Sequence, residues 1–300
     1  MTPHKHTFLA PFLATTVGIG TFAGMDALMK GLSIEIGAYN AILWRTALSL
    51  ILTGVVFLVH RRPMPARETL RVHIQRGLVI SGMAYLFFWG LAHVPLAEAI
   101  ALSFIAPLFA LYLAAGLLGE AIGRQAISAS VLGFGGALVI IGGKLSGDYS
   151  RDMGLGMAAI VLSAAMYAYN LILQRRQALL AGPVEIAFFQ SAVVLAVYLL
   201  LTPWFAVVPD MGQAPALAGA SLLSIVSMML ISWGYARAET RILLPVEYTA
   251  FIWAALLGWL VFGESLTAST LAGTALIVAG CLLSLRQPRS ALSQAESSPV

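Results

Sequence analysis

Ten runs of mostly apolar residues, each about as long as a membrane-spanning helix, account for most of this 300-residue chain. A helix needs about 20 such residues to cross a bilayer, because lipid offers no partners for its backbone polar groups. Only 10% of the residues are charged, against roughly 25% in soluble domains, so the chain lacks the ions for a water-facing surface. The sequence therefore predicts an all-α membrane protein with ten transmembrane helices. They cover residues 8–30, 36–59, 73–92, 95–118, 126–143, 154–174, 183–207, 215–236, 242–262 and 267–285.

The composition also excludes several other classes of protein. The single cysteine, Cys281, rules out a disulfide-stapled fold, and the apolar content rules out intrinsic disorder. The 17 Lys and Arg residues outnumber the 13 Asp and Glu residues, but they are spread thinly along the chain, so no nucleic acid partner is expected. The five histidines have no metal-ligand spacing and no phosphate-binding loop occurs, so the sequence predicts neither a metal nor a cofactor.

The distribution of basic residues predicts the orientation of the chain. Cytoplasmic connectors of membrane proteins carry an excess of Lys and Arg. With the amino terminus in the cytoplasm, 13 basic residues fall on the inner side and 3 on the outer side, and Arg45 remains within a span. We therefore expect both termini in the cytoplasm, with residues 286–300 as a disordered tail. The inner set is Lys5, Arg61, Arg62, Arg67, Arg71, Arg76, Arg124, Arg175, Arg176, Arg237, Arg241, Arg286 and Arg289, and the outer set is Lys30, Lys144 and Arg151.

An internal repeat with an offset of 144 residues relates the two halves of the chain, without a gap between its first and last match. It divides the chain into two units of five helices, 8–143 and 154–285. Because five is odd, the second unit enters the membrane from the opposite face, which is the inverted architecture of many secondary transporters. The matches pair Trp89-Gly90 with Trp233-Gly234, Gly119-Glu120 with Gly263-Glu264, and Gly136 with Gly280.

Two stretches of the sequence resemble the drug/metabolite transporter superfamily. Residues 92–99, continuing through Pro107 to Gly119-Glu120, are similar to its fourth helix, and Gly263-Glu264 followed by residues 271–280 is similar to the end of its ten-helix EamA family. The resemblance implies a carrier of small organic metabolites in the bacterial inner membrane, often an exporter of amino acids. One branch of the family exports aromatic amino acids. These motifs say almost nothing about the substrate.

Two ionisable residues at membrane depth are the first candidates for function, because a charge there is costly. Arg45 lies roughly 13 Å deep in the second span, and Asp26 lies about 6 Å below the outer end of the first. Arg45 can reach Asp26 if these helices pack together. The pair is then an outer gate or an anchor for a substrate carboxylate, or else a structural ion pair. Asp26 alternatively pairs with Lys30, four residues further on.

The second repeat has neutral amides where the first has this pair. Asn170 matches Asp26, and Gln190 lies one residue out of register with Arg45. The hypothesis is that a charged pair near one face and neutral amides near the other bias which gate is closed at rest.

Two glutamates in repeat-related spans are further candidates. Glu98 lies just inside the fourth span, and Glu247 lies about six residues into the ninth. Either carboxyl group would suit proton coupling if it were desolvated. Glu98 is shallow enough to reach interfacial water instead, whereas Glu247 is deeper and adjoins Tyr248 and Phe251.

The same two spans each contain a proline, Pro107 and Pro245. Proline interrupts helical hydrogen bonding, and broken helices at corresponding places in two repeats point to a substrate site near the midplane. The two prolines are six residues out of register, so they are predicted hinges rather than exact equivalents.

Aromatic residues in the third and eighth spans are candidates for lining a cavity. One helical stripe contains Ser81, Tyr85, Phe88 and Trp89. Trp233 is the equivalent of Trp89 in the second repeat. Such a stripe favours a flat or partly apolar substrate. Trp89 and Trp233 lie near helix ends, so they also fit the aromatic belt at the membrane interface.

The sequence therefore predicts a secondary transporter that exports small organic solutes by alternating access. Amino acids are the expected substrates, aromatic ones first, and the driving force is either the solute gradient or protons. The expected partners are the substrate and membrane lipid, with a monomer or weak homodimer as the assembly. The alternatives are a membrane-embedded enzyme acting on lipid or peptide, which would need a nucleophile and base at one depth, and a channel, which would need a selectivity ring.

Overall fold

The computed structural model describes residues 9–59, 64–118, 124–145, 150–235, 237, 243 and 246–284. The residues it describes are helical apart from short turns and connectors. The helices are α1 (Leu9–Val59), α2 (Arg67–His93), α3 (Leu96–Ser103), α4 (Ala106–Leu118), α5 (Arg124–Leu145), α6 (Arg151–Leu180), α7 (Pro183–Phe205), α8 (Ala214–Tyr235), α9 (Thr249–Phe262) and α10 (Ala268–Ser284).

These helices account for all ten predicted spans. Five of the described helices are long and apolar enough to cross a membrane, namely α1, α2, α6, α7 and α8. Helix α1 contains the first two spans, and shorter apolar helices supply the fourth, fifth, ninth and tenth. The predicted tail, residues 286–300, lies outside the described residues. The all-α fold with ten spans is confirmed.

The reversal between the first two spans occurs at a single glycine. Gly37 has φ 80° and ψ 148°, a conformation outside the helical region that glycine adopts more readily than other residues. The sequence predicted a connector at residues 31–35, but helical geometry continues up to Gly37. Leu32 and Ser33 are buried in this stretch, so packing favours the helix there.

The fourth and ninth spans are interrupted at corresponding residues. Helix α3 ends at Ser103 and α4 begins at Ala106, with a turn at Phe104 and Ile105. In the ninth span a turn at Tyr248, which matches Phe104 in the repeat, precedes α9. Pro107 lies in the first turn of α4, where the missing N–H of proline leaves no intrahelical bond unmade. The other predicted hinge, Pro245, lies outside the described residues.

Close contacts at glycines repeat the same pattern in both halves. A Cβ atom on Gly136 would collide with the carbonyl oxygen of Gly273, and one on Gly280 would collide with that of Ala129. The 144-residue offset relates Gly136 to Gly280 and Ala129 to Gly273, so each contact is the repeat equivalent of the other. Both contacts join α5 to α10. Gly90 and its repeat partner Gly234 make the corresponding close approaches of α2 to α6 and of α8 to α1. The inverted repeat is therefore visible in the packing.

A pair of neighbouring glycines tests this packing. We expect Gly136→Ala to lower the thermal stability of the purified protein, because the new methyl group forces α5 away from α10 at a cost of about 1–3 kcal/mol. Gly135 has open space around its Cβ position, so Gly135→Ala is the matched control and gains helix propensity. Melting curves in detergent compare the two variants. Equal melting temperatures would contradict the close packing at Gly136.

Candidate functional site

Polar side chains that are buried or half-buried form three clusters in the bundle, each together with neighbouring backbone or apolar groups. Each cluster is named after one of its residues. The Glu264 cluster contains Lys30, Val94, Leu96 and Glu264. The Arg76 cluster contains His73, Arg76, Asn170, Gln177 and Glu185. The Arg45 cradle contains Met25, Asp26, Arg45 and Phe88.

The Glu264 cluster is built on the Gly-Glu motif of the second repeat. Gly263 ends α9 in the left-handed conformation with φ 66°, and the Glu264 N–H then donates to the Gly258 carbonyl at 3.0 Å. This cap turns the Glu264 side chain into the bundle. One carboxylate oxygen forms an ion pair with Lys30, and the other accepts a hydrogen bond from the Leu96 N–H at 2.7 Å.

Lys30 completes this cluster from the first span. Its Nζ also donates to the Val94 carbonyl at 2.7 Å and lies 5.1 Å from the centre of the Phe262 ring. The cluster thus ties the first span and the connector between the third and fourth spans to the end of the ninth. The alternative pairing of Asp26 with Lys30 is wrong, because Lys30 is engaged with Glu264. The repeat marked Gly263-Glu264 as notable, but the sequence did not indicate its partner.

Glu98 lies beside this cluster, in α3. It is buried, and its Oε1 accepts a hydrogen bond from Thr270 Oγ1 of α10 at 2.9 Å. The expectation that Glu98 reaches interfacial water is therefore wrong for this structure. The short helix α3 packs against α9, α6 and α10, and the Glu98 side chain is buried among them.

The Arg76 cluster is a chain of hydrogen bonds between α2, α6 and α7. Arg76 Nε donates to Asn170 Oδ1 at 3.0 Å, and Nη1 donates to Gln177 Oε1. Gln177 Nε2 donates to His73 Nδ1 at 2.6 Å, which leaves the Nε2–H of His73 to donate to Glu185 at 3.1 Å. The amide of Gln177 thus links a buried cation to a histidine–glutamate pair.

This cluster corrects two expectations about charge. Arg76 was counted as a connector residue, but it is buried and lies nine residues into α2, because that helix begins at Arg67 rather than near residue 73. Asn170 was expected to leave its end of the molecule neutral, yet it binds the Arg76 guanidinium. The other predicted amide, Gln190, is half-buried on α7.

The Glu264 and Arg76 clusters lie at opposite ends of the bundle. Arg76 and Val94 are 18 residues apart on and just after α2, which corresponds to about 27 Å along a helix axis. Each cluster joins residues of both repeats. Lys30, Val94 and Leu96 of the first repeat meet Glu264 of the second, and His73 and Arg76 of the first meet three residues of the second.

The Arg45 cradle lies next to the Glu264 cluster along the first span, where Asp26 precedes Lys30 by four residues. Asp26 is 1% exposed, and its Oδ1 has no hydrogen-bond partner among the described residues. No ion pair within 4.0 Å joins the Asp26 and Arg45 side chains. Arg45 Nη1 instead contacts Met25 Sδ at 3.7 Å, and the guanidinium lies 5.7 Å from the centre of the Phe88 ring.

The two helix interruptions meet inside the bundle. The Phe104 and Tyr248 rings pack edge to face with their centres 5.2 Å apart. The Phe104 carbonyl, in the turn between α3 and α4, accepts a hydrogen bond from Cys281 Sγ at 3.2 Å. Phe251 follows within the first turn of α9 and is partly buried.

The remaining predicted residues lie apart from these clusters. Tyr85 is 41% exposed, and Trp89 is half-buried and packs against His93 with ring centres 4.5 Å apart. Trp233 is 39% exposed, and the Arg237 guanidinium lies 4.4 Å from its ring centre. Glu247 accepts a hydrogen bond from the Tyr235 hydroxyl.

Comparison with known proteins identifies the family of the chain. The sequence model of the EamA-like transporter family matches residues 10–142 and again residues 154–286. The pseudopaline exporter CntI of Pseudomonas aeruginosa strain UCBPP-PA14 is 28% identical over 268 residues, which cover 87% of this chain and 91% of that protein.

Other relatives carry different solutes. The S-adenosylmethionine uptake transporter of Rickettsia bellii is 22% identical, with 93% of this chain and 97% of that protein covered. The riboflavin transporter of Vibrio cholerae is 26% identical, with 93% of each chain covered. A solved crystal structure aligns over 97% of this chain and 99% of its own with a TM-score of 0.58 at 19% identity, which supports the fold alone.

The Lys30–Glu264 pair has a testable energetic signature. Removing one partner of a buried ion pair costs about 3–5 kcal/mol, whereas replacing both with neutral groups is often close to neutral. We therefore expect Lys30→Met and Glu264→Gln each to lower the melting temperature more than the double variant does. Differential scanning fluorimetry on the four proteins gives this comparison. Strictly additive effects of the two substitutions would contradict a direct pair.

Proposed function

The chain belongs to the EamA-like transporter family and is a membrane transporter of small molecules, and we propose that it exports amino acids, aromatic ones first, by alternating access. The protein spans the bacterial inner membrane, with both termini in the cytoplasm and the Glu264 cluster at the outer end. It works as a secondary carrier whose driving force is the substrate gradient or protons.

The proposal is supported mainly by the positions of the Glu264 cluster and the Arg76 cluster in the bundle. Each crosses from one repeat to the other, and they lie about 27 Å apart at opposite ends of α2. When one repeat rocks against the other, the contacts at one end separate while those at the other end remain closed. The Glu264 cluster is the outer gate and the Arg76 cluster is the inner gate.

The two proposed gates differ in chemistry, and they use other residues than the Asp26–Arg45 pair and the amides that the sequence indicated. The outer gate depends on an ion pair between Lys30 and Glu264. The inner gate depends on hydrogen bonds from Arg76 to two neutral amides, with Glu185 two steps away through His73. Hydrogen bonds to neutral acceptors are weaker than those between opposite charges. In the absence of substrate the inner gate therefore opens more readily, which suits an exporter that loads from the cytoplasm.

Aromatic side chains along the path support aromatic substrates. The Phe88 ring faces Arg45, and Phe104 and Tyr248 meet where the two broken spans touch. Tyr198 of α7 is a further aromatic residue. Its hydroxyl donates to the Ser81 carbonyl of α2 at 3.0 Å, and its ring packs on Tyr39 of α1. Rings of this kind stack favourably on a planar side chain.

The direction of transport is supported by one relative and not by the others. The Pseudomonas aeruginosa relative at 28% identity is an exporter, whereas the Rickettsia bellii relative is an uptake transporter. Membership in the family therefore fixes neither direction nor substrate. Export rests on the difference between the two gates.

Substrate counterflow in proteoliposomes tests the proposal. Vesicles loaded with unlabelled phenylalanine are expected to accumulate labelled phenylalanine transiently, and Arg76→Gln is expected to slow this exchange by about tenfold because the inner gate loses its charge-assisted hydrogen bonds. Arg71→Gln is the matched control, since Arg71 is exposed on the same helix.

Exchange of phenylalanine that saturates and depends on Arg76 supports a carrier. Labelled phenylalanine that enters empty and loaded vesicles equally, without saturation, would indicate a channel. Exchange of S-adenosylmethionine or riboflavin without exchange of any amino acid would overturn the proposed substrate class.

A further inference from the structure

We propose that Asp26 and Arg45 together recognise the zwitterionic head group of an α-amino acid. Arg45 binds the carboxylate and Asp26 binds the ammonium group. This inference rests on the proposed function, because it assigns the substrate-binding residues of the carrier described above.

The first argument is that Asp26 is buried and Arg45 is half-buried, and that each has a solvent-shielded polar atom without the partner that such an atom normally has. Asp26 Oδ1 and Arg45 Nε have no hydrogen-bond partner among the described residues. Lys30 and Arg76, by contrast, each donate to two oxygen atoms. A buried charge without such partners costs several kcal/mol, so it is retained where a ligand supplies them.

The second argument is that opposite charges share one site without touching. Arg45 Nη1 contacts a weak acceptor, the thioether of Met25, which is the residue next to Asp26, and no ion pair within 4.0 Å joins Arg45 to Asp26. A ligand that bears both charges on adjacent carbons satisfies both side chains at once. An anion without an ammonium group would meet repulsion from Asp26, and a cation without a carboxylate would meet repulsion from Arg45.

The third argument concerns the chemistry of the two side chains. The guanidinium of arginine has five N–H donors in a planar fork, which matches the two oxygens of a carboxylate. The Phe88 ring and the Met25 thioether beside Arg45 offer apolar surface to the rest of the ligand. Charged groups thus recognise the head, and apolar groups contact the side chain.

The fourth argument is the position of the site. Asp26 precedes Lys30 by four residues, or about 6 Å along the helix, and Phe88 precedes Val94 by six residues, or about 9 Å. The cradle therefore lies directly beneath the Lys30–Glu264 pair. When that pair separates, a bound amino acid is exposed to the outer end.

Binding of phenylalanine and its two half-analogues tests this inference. Phenethylamine lacks the carboxylate, and 3-phenylpropanoate lacks the ammonium group. We expect purified wild-type protein to bind phenylalanine in detergent and neither analogue to compete at equal concentration. Loss of one charge-assisted contact lowers phenylalanine affinity by roughly 10- to 100-fold, and it does so in both Asp26→Asn and Arg45→Gln.

The decisive result is an exchange of specificity. Asp26→Asn is expected to bind 3-phenylpropanoate better than wild type does, because the repulsion from Asp26 is gone. Arg45→Gln is expected to gain affinity for phenethylamine for the corresponding reason. A variant that merely misfolds gains neither ligand. Asp210→Asn and Arg237→Gln, which change exposed charges, are the controls and leave binding unchanged.

Three results would overturn the inference. The first is wild-type affinity for phenylalanine in both cradle variants. The second is equal competition by both analogues in the wild-type protein. The third is sodium-dependent phenylalanine binding that Asp26→Asn abolishes without any change in specificity, since this assigns Asp26 to a coupling cation. Failure of the proposed function is distinct, because wild-type protein would then bind no amino acid at all.

Discussion

The cost of placing charge inside a bilayer governs the arrangement of this molecule. Ionisable side chains within spans are retained when other polar groups bind them. Lys30 and Arg76 obey this rule through contacts that cross between the two repeats. In the proposed mechanism, each cation keeps its partners only while the two repeats are close together at its own end, so the same contacts hold that end closed. Transport by this mechanism requires one set of contacts to break while the other is kept.

The inverted repeat explains how one sequence pattern gives two ends with different properties. The two repeat-related glycine contacts between α5 and α10 have nearly equal distances, so the packing of these helices is close to symmetrical. The polar residues differ, since Lys30 matches Gln174 and Asp26 matches Asn170 in the second repeat. In the proposed mechanism, a symmetrical scaffold with unequal polar contacts lets the same rocking motion favour one open state. The proposed binding of substrate in the Arg45 cradle adds the charges of the substrate to this balance.

The number of spans was predicted from the length of the apolar runs, the repeat from matches at an offset of 144 residues, and the family from the resemblance of two stretches, all of which are read from the sequence alone. The partner of Lys30 was not, because Glu264 is 234 residues away and only the packing of the first and ninth spans brings them together. Arg76 was misplaced because α2 begins at Arg67, and its polar first turns resemble a connector. Asp26 and Arg45 were chosen as ionisable residues at membrane depth, and their role in the site stays a prediction. The structure buries Asp26, leaves Arg45 half-buried and forms no direct pair between them, which only the three-dimensional packing shows.

The central claim is that the Lys30–Glu264 pair, the proposed outer gate, must separate during transport. Cross-linking these two positions tests it most directly. Cysteines replace Lys30 and Glu264 in a Cys281→Ser background, in which serine keeps the hydrogen bond to Phe104. A short bifunctional thiol reagent with a cleavable linker then joins the two positions in proteoliposomes. The account predicts that exchange stops on cross-linking and returns when the linker is cleaved. Undiminished exchange in fully cross-linked protein would contradict it.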